Sequence, residues 1–412
     1  MAEIPSTDSQ NFPYIKAIQV NDCYTYQNFT ISDESENTFK HFILTGKNGS
    51  GKTTILNRIA LLQTFLKRNE EIKIKINRLK HYLNSNFSLH LSDKKRYKKE
   101  LEFLEAIELS FSTETNEYLY FKTNEGNYVS SYFRAHRKVE LDKVESVTKE
   151  STFVEELSKK SEQKPDYFIQ KFKQYLVNKK VYEAFDYMNA KGDGTNQSQT
   201  FFEQLTDIMR RIFKDKTLDL IFEQESFEFF LKMGDGRKMT FNQLSEGFSA
   251  FLSILMELLM KVDLIRKQHK DFSFDPPGIV LIDEPETHFH LEMQYEILPI
   301  LTSLFPNIQF IIATHSPAVI SSLEDAIVYD LTTKETVKDW ILGSSYSELM
   351  LKHFGLENEF GPKADKLIAS IDQAYLSGDA NALKNLFLEY EAILTPSLRI
   401  ELESKIIALE SK

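Results

Sequence analysis

Apolar and polar positions along this chain fall into blocks that switch between the period of a strand and the period of a helix. Tyr14 to Val20 and Gln27 to Ile31 read as strands separated by a polar turn, and Phe39 to Thr45 is a further strand that runs straight into Gly46. Beyond a glycine-rich turn, Ile55, Ile59, Leu62 and Phe65 recur at helical spacing and predict a helix over Thr54 to Leu66. Lys67 to Glu105 is helix-forming. Ile107 to Phe121 alternates like a hairpin with its turn at Thr115 and Asn116. Lys138 to Thr217 is charged and helical, broken by the loop Lys191 to Ser198, and reads as an insertion. Phe227 to Met233 predicts a strand, followed by a helix over Ser245 to Ile265, a strand over Gly278 to Ile282 and a helix over Leu291 to Leu304. Strands at Gln309 to Ala313 and Ala326 to Asp330 precede a helical stretch from Ser344 to Lys412. Strands alternating with helices predict an α/β fold around a parallel sheet.

Composition narrows this picture. Hydrophobic residues are 42% and charged residues 27% of 412, an ordinary globular balance. A net charge of −11 confines any nucleic-acid surface to a local patch. Cys23 is the single cysteine, which excludes a disulfide framework and a multi-cysteine zinc site and suits a reducing cytosol. Met1 to Pro13 has no apolar signal core, and the most apolar helical run, Phe251 to Met260, is too short to span a bilayer. A cytoplasmic location with no membrane contact is the expectation.

Three patches carry chemistry. Gly46-Lys47-Asn48-Gly49-Ser50-Gly51-Lys52-Thr53 fits G-x-x-x-x-G-K-[ST], and its place between a strand and a helix argues against a chance glycine loop. Its glycines let backbone N–H groups turn inward onto phosphate oxygens, Lys52 supplies a cation for the β- and γ-phosphates, and the Thr53 hydroxyl can ligate Mg²⁺. Ile279 to Pro285 is an apolar run ending in Asp283 and Glu284. A buried strand ending in Asp places a hard oxygen ligand for Mg²⁺ at the carboxyl edge of the sheet. Strand alternation then sends Glu284 elsewhere, free to act as general base on water. An ordinary strand end with an acidic turn has the same appearance. Ile311 to Pro317 is a second such run, and His315 at its end can contact the γ-phosphate and orient the water, with a structural histidine as the other reading.

GKNGSGKT, LSEGF, LIDEPETHFH and ATHSP, in that order, resemble the ABC-type ATPases of the RecF, SMC and OLD group. The resemblance covers roughly residues 1–60, 105–137 and 236–335. It implies an ABC-type P-loop ATPase head, a mixed sheet with flanking helices, binding ATP and Mg²⁺ as an ATP-sandwich homodimer. The nucleotide-binding set it implies is Gly46 to Thr53 with Thr54, plus Ser245 and Gly247 of Leu244 to Phe248, which in this group meet the γ-phosphate held by the opposite subunit. Glu246 stands where the familiar signature has glycine, and Phe248 where it has a polar residue. An ordinary helix cap is the alternative reading of Ser245. Thr53 and Asp283 are the implied metal ligands, Glu284 and His315 the implied catalytic residues. The loop Tyr132 to Arg137 falls where the group carries a glutamine, and none is present there. Arg137 is the candidate nucleotide sensor in that loop, with a surface arginine as the plainer reading.

The same resemblance sets limits. One cysteine rules out a zinc hook, and the insertions are too short for long SMC arms. The 97 residues after His315 carry no convincing cluster of metal-binding acids, so no intrinsic nuclease is expected. Small stand-alone ATPases of this type resemble the ATPase subunits of Septu anti-phage defence systems, which act with an HNH nuclease encoded beside them. That implies an ATPase that regulates a partner nuclease effector. The alternative is a RecF-like or SMC-like ATPase of DNA repair that binds DNA ends. From Lys67 to Lys99 eleven basic residues face three acids, a local charge of +8 that offers a surface for nucleic acid or merely a solvated face. The expected division is an ATPase lobe with the P-loop over 1–66, a basic helical insertion over 67–105 and a hairpin over 106–137. A helical insertion follows over 138–226, then a lobe with the signature, acidic strand and histidine over 227–343, and a helical tail over 344–412.

Overall fold

The computed structural model describes residues 12–21, 28–32, 39–67, 72–84, 90–112, 127–137, 140–161, 167–189, 197–271, 273–337, 362–391, 394 and 396–410. The chain forms two compact units, Met1–Gly343 and Ser344–Lys412. The first begins with β1 (Ile15–Val20), β2 (Phe29–Ser32), β3 (His41–Thr45), α1 (Lys52–Lys67), α2 (Ile72–Asn84), α3 (Leu91–Glu105), β4 (Ile107–Phe111) and β5 (Val129–Phe133). It continues with helices α4 (Glu150–Ser161), α5 (Tyr167–Gln170), α6 (Phe172–Asn189) and α7 (Gln197–Phe213), then β6 (Asp219–Glu223), β7 (Glu228–Lys232) and β8 (Lys238–Thr240). The last part holds α8 (Glu246–His269), β9 (Gly278–Asp283), α9 (Leu291–Leu304), β10 (Ile308–Ala313), α10 (Pro317–Ile320), β11 (Ala326–Asp330) and β12 (Glu335–Thr336).

A six-stranded sheet in the order β12-β11-β3-β10-β9-β5 is the frame of this unit, parallel except for β12. Every residue of β3, β9 and β10 is buried, as expected of strands covered on both faces, and their sequences are mostly apolar for that reason. A second sheet, β2-β1-β4, is antiparallel. Gln309, fully buried in β10, joins the two sheets by accepting from Ile15 N–H at 2.8 Å and donating to Ile15 C=O at 2.8 Å. The six-stranded sheet, α1 and the second sheet share one core that includes Ile18, Leu44, Ile59, Leu281 and Ile311. Helix α8 is buried over most of its length because its middle, Phe251 to Met260, is apolar except for Ser253 and Glu257, and the buried Glu257 carboxylate is held by Ser131 and Lys261.

Two expectations change here, at the hairpin boundary and at the start of α7. In the run from Ile107, β4 pairs with β1, and β5, beyond that run, pairs in parallel with β9 in the other sheet. The proposed second arm, Tyr118 to Phe121, lies outside the described residues. The boundary at 226/227 cuts an antiparallel hairpin, since β6 pairs with β7 from Asp219↔Lys232 to Glu223↔Glu228. Helix α7 starts at Gln197, inside the loop expected over Lys191 to Ser198. The basic segment forms α2 and α3, and acids just beyond Lys99 reach back onto it: Lys75 pairs with Glu100 at 2.9 Å and Lys80 with Glu105 at 2.6 Å. Counted to Glu105, the net charge falls to +5.

The second unit, described by itself, holds α11 (Pro362–Leu376), α12 (Ala380–Tyr390) and α13 (Pro396–Glu410) around Ile371, Ala374, Leu383 and Leu402. Asp379 caps α12 by accepting from Ala382 N–H. Residues 344–361 of the expected helical tail lie outside the described residues.

Candidate functional site

A tight local constraint sits where β3 meets α1. Gly46 has φ +131°, and a Cβ there would lie 2.9 Å from Thr332 Oγ1 and 3.1 Å from Asp330 Oδ1, so only glycine fits. Asp330, buried at the end of β11, accepts from Thr332 N–H, and Thr332 Oγ1 accepts from Lys47 N–H at 2.8 Å. The turn after β11 thus braces the loop from below. Lys47, Asn48 and Gly49 form its exposed crest, and Ser50, Gly51, Lys52, Thr53 and Thr54 lead into α1.

Lys52 is 5% exposed and donates to Gly46 C=O at 2.7 Å and Lys47 C=O at 3.3 Å. Burial pushes its ammonium below the ordinary lysine value, and Glu284, Asp283, Asp330 and Glu286 pull it back. A buried cation held by loop carbonyls and the His315 ring, with no carboxylate in contact among the described residues, fits an anion arriving in the loop. The Thr53 hydroxyl donates to Asp283 Oδ2 at 2.8 Å. Burial raises the Asp283 carboxyl, opposed by the Thr53 hydrogen bond, raised again by Glu284 and lowered by Arg137 and Lys52. A hydroxyl and a carboxylate in contact form a hard-oxygen pair that suits Mg²⁺ with water and phosphate oxygens filling its other positions. Among the described residues no group of three or more His, Cys, Asp or Glu side chains could hold a metal ion.

Glu284 points away from Asp283 for a reason other than strand alternation. Strand β9 ends at Asp283, and Glu284 is itself left-handed, with φ +48°. Its N–H donates to Ala313 C=O at 2.8 Å, and its Oε1 lies 3.9 Å from His315 Nε2. His315 Nδ1 is 3.4 Å from Lys52 Nζ. Burial lowers the His315 pKa, the Lys52 charge lowers it further and Glu284 opposes both, so the ring is neutral at pH 7. The nitrogen facing an ammonium is the unprotonated one, which leaves the N–H on the side of Glu284.

Two residues organise this cluster, and the sequence alone assigned neither its task. Arg137 is turned inward: it donates to Asp283 C=O at 2.8 Å and Glu284 C=O at 2.9 Å, and to Arg134 C=O. That corrects the surface-arginine reading, because its partners are carbonyls freed where β9 ends and the chain turns left-handed. Burial brings its pKa down to about 10, offset by Glu286, Asp283 and Glu284, so it remains charged at neutral pH. Glu286 gathers the histidine loop: its Oε1 accepts from Thr314 Oγ1 at 2.6 Å, His315 N–H at 2.9 Å and Ser316 N–H at 3.1 Å. The only sequence signal for it was its place in the acidic phrase.

Ser245 and Gly247 sit elsewhere. Ser245 is the N-cap residue of α8, is exposed, and makes no side-chain cap bond, so the plain capping alternative does not hold. A Cβ on Gly247 would lie 2.6 Å from His288 C=O, which explains a glycine there by close packing. Phe248 stacks on Phe213 at 4.5 Å and meets Phe289 edge-on, so this unusual signature residue is a packing residue. Glu246 faces His288 at 3.7 Å. The structure therefore brings together Lys52, Thr53, Asp283, Glu284 and His315, and leaves Ser245 and Gly247 against the far end of the acidic turn.

The family described as "AAA domain, putative AbiEii toxin, Type IV TA system" matches residues 42–321. A retron Vc95 probable ATPase of Vibrio cholerae serotype O1 biovar El Tor is 24% identical over 367 residues, 73% of this chain and 70% of that protein. Septu protein PtuA of Bacillus mycoides (strain KBAB4) is 30% identical over 146 residues, 34% of this chain but 19% of that protein. A solved Smc head domain from Pyrococcus furiosus, bound to the C-terminal domain of ScpA, is 13% identical with a TM-score of 0.39, covering 79% of this chain and 95% of that one.

Proposed function

This chain belongs to that AAA-domain family, and from that premise we propose that it binds and hydrolyses ATP as one half of a dimer closed around the nucleotide. The observation that carries the reading is the convergence of Lys52, Thr53, Asp283, Glu284 and His315 at the carboxyl edge of the six-stranded sheet. Loop amides and Lys52 hold the β- and γ-phosphates of ATP, and Thr53 with Asp283 holds Mg²⁺. Mg²⁺, when bound, offsets the negative charge that develops on the phosphates. Glu284 takes the proton from the attacking water, and neutral His315 donates from its Nε2 side to orient it. Arg137 keeps the backbone of both acids in place.

The exposed Ser245 hydroxyl and the N-terminus of α8 complete the site of a second copy, since an oriented helix terminus is a ready anion contact. The relatives, a retron probable ATPase and a Septu protein, support a role in anti-phage defence, with ATP controlling a partner effector such as an HNH nuclease. Helices α2 and α3 supply the cationic surface for nucleic acid, with Tyr82 and Tyr97 stacked at 5.8 Å beside it. The test is subunit mixing. Lys52→Ala should abolish ATP binding by calorimetry, and Ser245→Arg should keep binding but lose turnover. Mixing the two inactive variants should restore turnover through one intact site per mixed dimer. A mixture as inactive as its parts sinks the shared site.

A further inference from the structure

Strand β5 places one polar group beside the acidic pair that the reading above does not use. In the parallel register Tyr132 stands opposite Leu281, two residues before Asp283, so Tyr132, Leu281 and Asp283 share the face of the sheet turned toward α1 and Thr53. The Tyr132 ring packs on the same core as Leu281. Its hydroxyl oxygen is buried and, among the described residues, has no hydrogen-bond partner. A buried hydroxyl without an acceptor forfeits hydration and gains nothing for it, so it needs an explanation. Burial raises this phenol to about 12, with the Asp283 charge adding to the rise and Arg134 opposing it. It is therefore a protonated donor close enough to feel the carboxylate that touches Thr53.

We propose that Tyr132 is a member of the divalent-cation site, its hydroxyl donating to an oxygen that arrives beside Asp283 with the cation, as a bound water or a phosphate oxygen. Thr53 and Asp283 supply the ligating oxygens, and Tyr132 holds the neighbouring oxygen in place. The loop after β5 has no glutamine, and a tyrosine one turn of the pleat earlier fills that gap from within the strand.

This inference rests on the nucleotide-site reading, and the experiment separates the two. Tyr132→Phe keeps the ring and removes only the hydroxyl. ATP affinity should be measured by calorimetry for wild type and variant, once with Mg²⁺ and once with EDTA. With Mg²⁺ the variant should bind roughly 3–10-fold more weakly, the value of one hydrogen bond, and with EDTA it should match wild type. The ligand-free melting temperature should stay level or rise, since an unpaired buried hydroxyl has been deleted, while the increment added by Mg²⁺ and ATP should shrink. Equal weakening in both conditions, or no weakening in either, overturns the assignment of Tyr132. Failure of wild type to bind ATP in any condition overturns the nucleotide site and this inference with it.

Discussion

The loop before α1 and the edge before α8 are built alike, each a turn that opens onto a helix N-terminus, and they treat their polar groups in opposite ways. At α1 the reactive side chains have partners within the chain, Lys52 on two carbonyls and Thr53 on Asp283, and Lys47 N–H is tied to Thr332. At α8 the Ser245 hydroxyl makes no cap bond, and Glu246 and His288 are 76% and 56% exposed. Capping by Ser usually stabilises a helix by about 1 kcal/mol, so a long helix that leaves this contribution unused holds the hydroxyl available to something else. On the reading proposed above, one half of the site is finished inside one molecule and the other half is completed by a second copy. A shared site between two copies has that asymmetry.

The largest effect should come from the finished half. Glu284→Gln keeps shape and every backbone contact made by Arg137, and removes only the basic oxygen. Phosphate release should slow by roughly 10²–10⁴-fold, the usual loss with a general base, while ATP binding by calorimetry is kept. Light scattering should then find the variant trapped as a dimer in ATP. Unchanged turnover would break the comparison at its stronger side, since the cluster around Asp283 would not be the reacting one.

What could be read from sequence follows the same division. The P-loop, the acidic strand and the histidine strand were legible because each is a contiguous run whose chemistry and burial period coincide. Strand β5 was not, because Val129-Ser130-Ser131-Tyr132-Phe133 carries two serines toward the protein interior, where Ser131 donates to Glu257 of α8 at 2.9 Å. Arg137 was misjudged because its acceptors are carbonyls 146 and 147 residues away, which no local pattern encodes. The direction of Glu284 was expected for the wrong reason: a single left-handed residue sets it, not the pleat. The net charge of the basic segment was overstated because the acids that pair with it begin one residue past the run that was counted.

A middle-sized effect tests the strand that leads into the finished half. His41 opens β3 at the end of the strand away from the loop, is 8% exposed, and accepts from Phe310 N–H through Nδ1 at 3.1 Å. Burial lowers its pKa to about 4. Below the ordinary histidine value of about 6.5 the unfolded chain takes up a proton that the folded chain refuses until about pH 4. Stability should therefore fall between pH 6.5 and 4, by about 3 kcal/mol from this residue, with His315 adding in the same direction. Denaturant titrations across that range should give a shallower slope for His41→Gln, which keeps an acceptor and cannot charge. An identical slope would mean that the folded strand lets His41 protonate without cost.

The smallest effect lies at the open edge. Glu246 occupies the first turn of α8, where the positive end of the helix favours a carboxylate. That same field is what a phosphate held by a second copy would use, so Glu246 competes with the phosphate for it and repels it. Glu246→Gln keeps the size of the side chain and removes the charge. The variant should melt slightly lower on its own, yet its ATP-dependent dimer should be tighter by roughly 2–5-fold at low salt, the range of one charge at a helix end. Raising the salt to 1 M, where the screening length is about 3 Å, should erase the gain, because Glu246 is exposed. Sedimentation in the Glu284→Gln background, where turnover does not dissolve the dimer, measures both. A dimer that weakens on losing this charge would reverse the argument: Glu246 would then pair with a cation of the second copy, and the departure from glycine in the signature would be an attractive contact and not a brake.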